Sequence, residues 1–273
     1  NLRTLSHKEK ITYIISILLT CVYQGTKNSS KETYKSAKAL ANSIGTAFYH
    51  WNIDEEIDLF TKKIESAIGR KFDWKNDDIT LQNIQARTRS PLMWMMANAK
   101  NALLIVTSNR SEGDVGYATM DGDTSGSLAP IAGIDKVFIR QWLQWAEKTL
   151  GYKALKNVNA FLPSAELRPS EKSQTDEADL MPYSILIAIE KAAISDRLSP
   201  VEVYDQLKGL EDDSLLKKHI RKFFTLWAKN QWKRERIAPS FYLDEFNIDP
   251  RSWCRFPILS GGFEKELKEL DPL

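Results

Sequence analysis

Ala102-Leu103-Leu104-Ile105-Val106-Thr107 is the run on which the fold reading turns. A short, uncharged, apolar stretch that passes directly into a polar, glycine-rich segment predicts a strand buried on both faces of a parallel sheet, with a ligand loop beyond its carboxyl end. Upstream, residues 77–98 carry a long helical pattern. Before it, Ala47-Phe48-Tyr49-His50-Trp51-Asn52-Ile53 has aromatic strand character, and Asp54-Glu55-Glu56 opens a helix with acid at its positive end. Ser30 is placed to cap a helix over Lys31–Ile44 that Gly45 stops. Ile11, Ile14, Ile15, Leu18 and Leu19 follow helical spacing, and Cys21-Val22-Tyr23 then favours a strand. The order strand, helix, strand, helix, helix, strand predicts an α/β fold, a parallel doubly wound sheet flanked by helices. From about residue 133 onward the pattern is helical, over 135–150, 178–193, 201–207 and 214–229. Residues 162–179 are polar, contain proline and exceed what a connector needs, which predicts a functional loop.

Composition narrows the function classes. The chain has 273 residues, 38 Lys+Arg against 36 Asp+Glu, a net charge of +2 and 42% hydrophobic residues. That describes one large globular domain or two small ones, excludes disorder as the main state, and supplies no bulk attraction to nucleic acid. The best membrane candidate, residues 11–22, is broken by Tyr13, Ser16 and Thr20, and a span needs about 18 apolar residues. A soluble protein with no membrane partner is expected. Cys21 and Cys254 make no disulfide framework, and no signal-peptide pattern is present, so the expected compartment is the cytoplasm. His7, His50 and His219 lie apart from both cysteines, which argues against zinc.

The segment richest in chemistry is Thr107-Ser108-Asn109-Arg110-Ser111-Glu112-Gly113-Asp114-Val115-Gly116-Tyr117-Ala118-Thr119-Met120-Asp121-Gly122-Asp123-Thr124-Ser125-Gly126. Its four carboxylates can hold a hard cation, and its four glycines let backbone approach a ligand closely. Asp121, Asp123, Ser125 and Gly126 imitate a calcium-binding loop, but the twelfth position is Ala132 where a bidentate Glu is required. On the helix over 77–98, Asn83 and Arg87 share a face, with Leu81, Ile84, Leu92, Met95 and Met96 as the expected apolar side. Arg87 and Arg89 beside an amide would suit a phosphate or carboxylate, although taken alone an exposed basic stripe explains them better. Trp227, Trp232 and Trp253 read as core or interface, and Lys222, Lys229, Lys233, Arg234 and Arg236 as a solvated face. No Gly-x-Ser-x-Gly and no Walker-type loop occurs.

Several motifs stand in a telling order. They are Tyr23-Gln24-Gly25-Thr26 with Asn28-Ser29-Ser30, Asn83-Ile84-Gln85-Ala86-Arg87, the 107–126 loop, and Pro163-Ser164-Ala165-Glu166-Leu167-Arg168-Pro169. Gln174-Thr175-Asp176-Glu177 and Trp232-Lys233-Arg234 before Ala238-Pro239 complete the series. Together they resemble the synthetase domain of NAD synthetases, most closely the glutamine-dependent kind. The resemblance implies an adenine-nucleotide alpha-hydrolase-like fold and a carbon–nitrogen ligase, the glutamine-hydrolysing NAD synthase. Deamido-NAD would be amidated to NAD through an adenylate, with ATP and Mg2+ required. The ammonia would come from glutamine through an N-terminal glutaminase domain of the same polypeptide. Position by position, the family pattern places Asn83, Glu112, Tyr117, Asp123 and Lys233 at deamido-NAD, Thr107, Lys136 and Ser164 at ATP, and the magnesium on Glu112. Residues 174–177 would belong to a loop closing over the site, and the family also implies a homo-oligomer.

The sequence departs from the pattern in two places. Met120 stands where many single-domain relatives carry a lysine that contacts the substrate. The family's Ser-Gly-Gly-x-Asp-Ser phosphate loop is not found, and neither is the glutaminase domain. On this reading residues 1–273 are one synthetase domain incomplete at its N-terminus, with a helical part over about 133–273. The missing parts would precede Asn1, and the piece alone would not catalyse the reaction. Two alternatives stand beside it: another amidotransferase of the ATP pyrophosphatase group, and a non-catalytic nucleotide-binding or assembly module.

Overall fold

Local capping chemistry sets where several helices begin. The computed structural model describes residues 4–169, 175–258 and 260–272. Its elements are α1 His7–Leu18, β1 Thr20–Gly25, α2 Lys31–Ile44, β2 Ala47–Asn52, α3 Asp54–Ile68, α4 Asp78–Ala99 and α5 Arg110–Val115. These are followed by α6 Lys136–Thr149, α7 Leu155–Ala160, α8 Asp176–Asp179, α9 Tyr183–Glu190 with a π-helical turn Lys191–Ser195, α10 Pro200–Leu207, α11 Asp213–Lys229, α12 Gln231–Arg234 and α13 Glu264–Lys268. Ser6 with Glu9, Asn109 with Glu112 and Ser199 with Glu202 form reciprocal capping boxes on α1, α5 and α10. The chain divides into two compact units, Asn1–Arg89 with Arg140–Thr175, and Ser90–Ile139 with Asp176–Leu273.

In the first unit β1 and β2 pair in parallel, Thr20 opposite Ala47 through Gly25 opposite Asn52, with α2 as the connection between them. The expected strand, helix, strand order and the parallel α/β class are thus present. Ser30 Oγ accepts the Thr33 N–H at 3.1 Å, and Gly45 ends α2 at φ 80°. Glycine is doubly required there, because a Cβ would also come within 2.5 Å of Thr12 on α1. The buried apolar residues of this unit are few: Ala41, Ile53, Ile57, Ala86, Ala146, Leu155 and Leu167. Ile14, Ile17 and Leu18 of α1 and Leu59, Phe60, Ile64 and Ile68 of α3 stay exposed.

The second unit is built on α9, α10 and α11. Leu186, Ile189, Leu216, Ile220, Phe223 and Phe224 are almost wholly buried, and Phe223 stacks on Trp227 with ring centroids 6.2 Å apart. Trp227 is therefore core, as expected, and Trp253 packs against the same cluster.

Three expectations are corrected here. Residues 102–107 are not a strand buried on both faces. Only Ile105 forms a bridge, with Leu128, while Leu103 and Ile105 are exposed and Leu104 alone is buried. The run bonds to residues 127–128 through Val106 N–H to Leu128 O and Ser127 and Leu128 N–H to Leu104 O, and the exposure of Leu103 and Ile105 on either side of buried Leu104 is the period-two pattern of an extended segment covered on one face. Secondly, α4 buries Gln82, Gln85, Ala86 and Thr88, whereas Met95 is 68% exposed; its inward face is largely polar because it makes hydrogen bonds, described below. Thirdly, the helix expected over 178–193 starts at Tyr183, since Pro182 N-caps it and disfavours helical backbone at Met181.

Candidate functional site

The sequence Asn109-Arg110-Ser111-Glu112 folds as a turn of helix because Asn109 Oδ1 accepts the Glu112 N–H at 3.1 Å and the Glu112 carboxylate reaches back to the Asn109 N–H. This Asn-x-x-Glu signal was present in the sequence, although the segment reads there as a loop. Gly116 then closes α5 at φ 63°, and a Cβ on it would lie 2.4 Å from Asn230. The turn buries Arg110, Ser111, Gly113 and Asp114 and leaves Glu112 half-buried.

Glu112 Oε1 meets Lys136 Nζ at 2.7 Å, and the same ammonium lies 3.8 Å from Asp176 Oδ2. Asp176 is 4% exposed and accepts the Tyr183 hydroxyl at 2.9 Å. Burial pushes its carboxyl above the usual range, opposed by the Lys136 charge and the Tyr183 hydrogen bond. Burial beside Asp176 also raises the Tyr183 phenol, which keeps it a donor. Tyr117 donates its hydroxyl to Asp179 Oδ2 at 2.8 Å. Beneath this group Lys222 Nζ donates to Asp179 O at 2.7 Å and Leu180 O at 2.8 Å, so Lys222 is not the solvated lysine its neighbours in sequence suggest. Two lysines, three carboxylates and two phenols are thus gathered in the second unit around one half-buried ion pair. Asp179 and Tyr183 are members that the sequence did not single out; nothing in their local pattern marks them.

Lys233 Nζ donates to Gly116 O at 2.8 Å and Ala118 O at 2.9 Å, fastening the turn that carries Tyr117. Asp123 Oδ2 accepts the Thr119 N–H at 2.7 Å, and its carbonyl accepts Ser108 Oγ at 3.2 Å, next to exposed Thr107. Asp121 pairs with Arg236 at 2.7 Å. Arg234 is fully buried, contrary to the solvated face expected of it. Its guanidinium stacks on Trp227 and donates to Asp114 O, Trp227 O and Gln231 Oε1, so every buried donor has a partner.

In the first unit Asn83 is half-buried on α4 and Ser164 is exposed, its Oγ accepting the Glu166 N–H at 3.3 Å. Glu166, at φ 47°, accepts from Ser30 N–H and Thr33 Oγ1 and so joins the cap of α2. Gln85 binds this loop to α4: its Nε2 donates to Leu167 O at 2.7 Å, and its Oε1 accepts from Asn28 Nδ2 at 2.9 Å. Of the 174–177 stretch, Gln174 lies outside the described residues.

Among the described residues no three His, Cys, Asp or Glu side chains gather as a metal centre. Magnesium, however, takes only one or two protein carboxylates and completes its shell with phosphate oxygens and water. Glu112 and Asp176, both turned toward Lys136, meet that description. Among the described residues no helix is long and apolar enough to cross a membrane.

Comparison with known proteins identifies the family. The family model for NAD synthase matches residues 17–237. The chain is 34% identical over 245 residues to the glutamine-dependent NAD(+) synthetase of Aquifex aeolicus, covering 89% of this chain and 40% of that protein. The crystal structure of a glutamine-dependent NAD(+) synthetase from Cytophaga hutchinsonii superposes with a TM-score of 0.86 at 55% identity, over 98% of this chain and 43% of that one. NMN synthetase from Francisella tularensis shares the fold, with a TM-score of 0.60 at 19% identity over 84% of each chain. The chain spans about two fifths of the length of its glutamine-dependent relatives. With a matched family model over most of its length, the chain belongs to the NAD synthase family.

Proposed function

We propose that the polypeptide carrying this chain converts deamido-NAD to NAD, using ATP and ammonia released from glutamine by a glutaminase domain. The likeness to the Cytophaga hutchinsonii synthetase, which extends over 98% of the chain, is the observation that carries this reading. In the first step a carboxylate oxygen of the nicotinate bonds to the α-phosphorus of ATP and pyrophosphate leaves. In the second, ammonia attacks the activated carboxyl carbon and AMP leaves. Adenylation is needed because a carboxylate has no leaving group of its own.

The residues take the following parts. The ammonium assigned to the phosphates of ATP is that of Lys136, and the family pattern assigns the hydroxyls of Thr107 and Ser164 to ATP as well. Tyr117, Asp123, Lys233 and Asn83, whose amide can both donate and accept, are assigned to deamido-NAD. Glu112 would hold magnesium and also serve the dinucleotide. When bound, magnesium neutralises charge that develops on the phosphates. The phenols of Tyr117 and Tyr183, held by Asp179 and Asp176, limit water around the ion pair. A cytoplasmic homo-oligomer is part of the same proposal.

Calorimetry on the natural polypeptide tests the substrate. Saturable binding of deamido-NAD with no binding of xanthosine monophosphate is expected. The reverse preference sinks the reading in favour of purine nucleotide amidation, and binding of neither favours a non-catalytic module.

A further inference from the structure

Arg110 opens α5 two residues before Glu112 and is only 6% exposed. A buried guanidinium is uncommon unless every donor is used. Its Nε pairs with Glu190 of α9, Nη1 donates to Gly133 O at 2.9 Å and faces Asp244 at 3.5 Å, and Nη2 faces Asp135 at 3.4 Å. The guanidinium also lies over the Phe246 ring at 5.1 Å. Main-chain links run the same way: Arg110 N–H donates to Ile134 O at 2.9 Å, and Lys136 N–H donates to Ser111 Oγ at 3.1 Å. Residues 110–111 are therefore tied to residues 133–136 by side chain and backbone together. One residue beyond Asp135 stands Lys136, and two residues beyond Arg110 stands Glu112.

We infer that Arg110 is a positioning residue for ATP: by clamping the start of α5 to residues 133–135, it sets where the Lys136 ammonium stands relative to Glu112. It touches no substrate itself. The inference rests on the assignment of Lys136 to ATP. The clamp needs a fork, since one planar group must serve α9, a carbonyl and two carboxylates in different directions, which a lysine ammonium cannot do. Replacing Arg110 by an apolar residue would leave Glu190 buried without its cation and would endanger the fold, so the informative variants are Arg110→Lys, which keeps the charge, and Asp135→Asn, which keeps the shape.

The experiment measures three things in the natural polypeptide: KM for ATP against kcat, thermal melting, and amide hydrogen exchange at residues 111 and 134–136. Arg110→Lys should hasten exchange at those amides and raise the KM for ATP about tenfold, with a smaller fall in kcat. Asp135→Asn should act in the same direction by about threefold, and it carries the test if Arg110→Lys does not fold. In a Lys136→Ala background the Arg110→Lys effect on KM should vanish, because the two act through one contact. Unchanged exchange at residues 134–136, or an equal rise in KM in both backgrounds, overturns the positioning role. If exchange quickens while Lys136→Ala alone leaves KM unchanged, the clamp stands and the assignment of Lys136 to ATP is what fails.

Discussion

In the first unit several links between segments are polar, beside the ring contacts that Tyr34 of α2 makes with Tyr23 of β1 and Phe48 of β2. Gln85, Asn28 and Leu167 O form one knot, Glu166 and Ser30 another, and Arg168 with Asp78 a third, the last at 2.8 Å. In the second unit the large core carries aromatic rings: Phe223, Phe224 and Trp227 of α11 pack edge to face or stacked with one another and with Phe263, with centroids 4.8 to 6.2 Å apart. Yet it is the apolar unit that encloses charges, burying Arg110, Asp114, Glu190 and Arg234 at 6% exposure or less. The buried groups fare differently: Arg234 has hydrogen-bond partners for its guanidinium, whereas burial beside Glu190 pushes the Asp114 carboxyl well above its usual range. The polar unit leaves many of its large apolar side chains at the surface.

The largest effect that separates the two units is a truncation in the aromatic core. Phe223→Ala should destabilise by about 3–5 kcal/mol, read as the shift of a urea midpoint. Phe60→Ala, at a position 41% exposed, should shift it far less, and an equal loss would break the comparison. A smaller effect, about 2 kcal/mol, is expected for Gln85→Ala, which removes its hydrogen bonds to Leu167 O and Asn28 Nδ2 and leaves only the direct bond between those two. It should appear as faster exchange near residues 26–28 and 167 with the aromatic core unmoved, so protection unchanged at those residues would count against the knot.

The smallest effect is one of sign. Burial lifts the Glu190 carboxyl to about 7, opposed by Arg110 and its hydrogen bond with Asp114 and assisted by Asp135, while Arg234 faces Asp114 from the other side. A raised acid contributes stability that is full below its ordinary range and is lost as pH rises through about 7. Asp77 of the first unit is the reverse: the Arg70 guanidinium holds it down at about 2, so its contribution is lost only as pH falls toward that value. The urea midpoint should therefore decline between pH 5 and pH 8 in the natural protein, by an amount of order one pKa unit's worth of free energy or more. It should decline less in Glu190→Gln. A slope that survives this substitution would place its origin elsewhere.

Much of the architecture was legible before any coordinates. Ser30 and Gly45 bracket α2 where expected, Asp54 opens α3 with acid in its first turn, and Cys21-Val22-Tyr23 and residues 47–52 are the paired strands. The run at 102–107 was misread because apolar content reports preference for burial, whereas two-faced burial requires elements packed on each face, and here Leu103 and Ile105 are left exposed. The inward face of α4 was misread for the opposite reason. Gln85 looks like a surface residue until Asn28 and Leu167 O, 57 and 82 positions away from it, are seen to bond it. Within the site, Glu112 and Lys136 could be named from motif order, but their contact at 2.7 Å and the Asp176–Tyr183 pair behind it could not.

By itself the sequence determined the starts of α2 and α3, the parallel α/β class and the order of motifs that marks the family. All three depend on interactions within a few residues or on chain order alone. Tertiary structure decided which charges are buried. Arg234 and Lys222 stand in a basic stretch of sequence, and whether either is solvated depends on carbonyls of Asp114, Asp179 and Leu180, 120, 43 and 42 residues away. An ion's cost of burial is set by what surrounds it in space, and no local pattern carries that information.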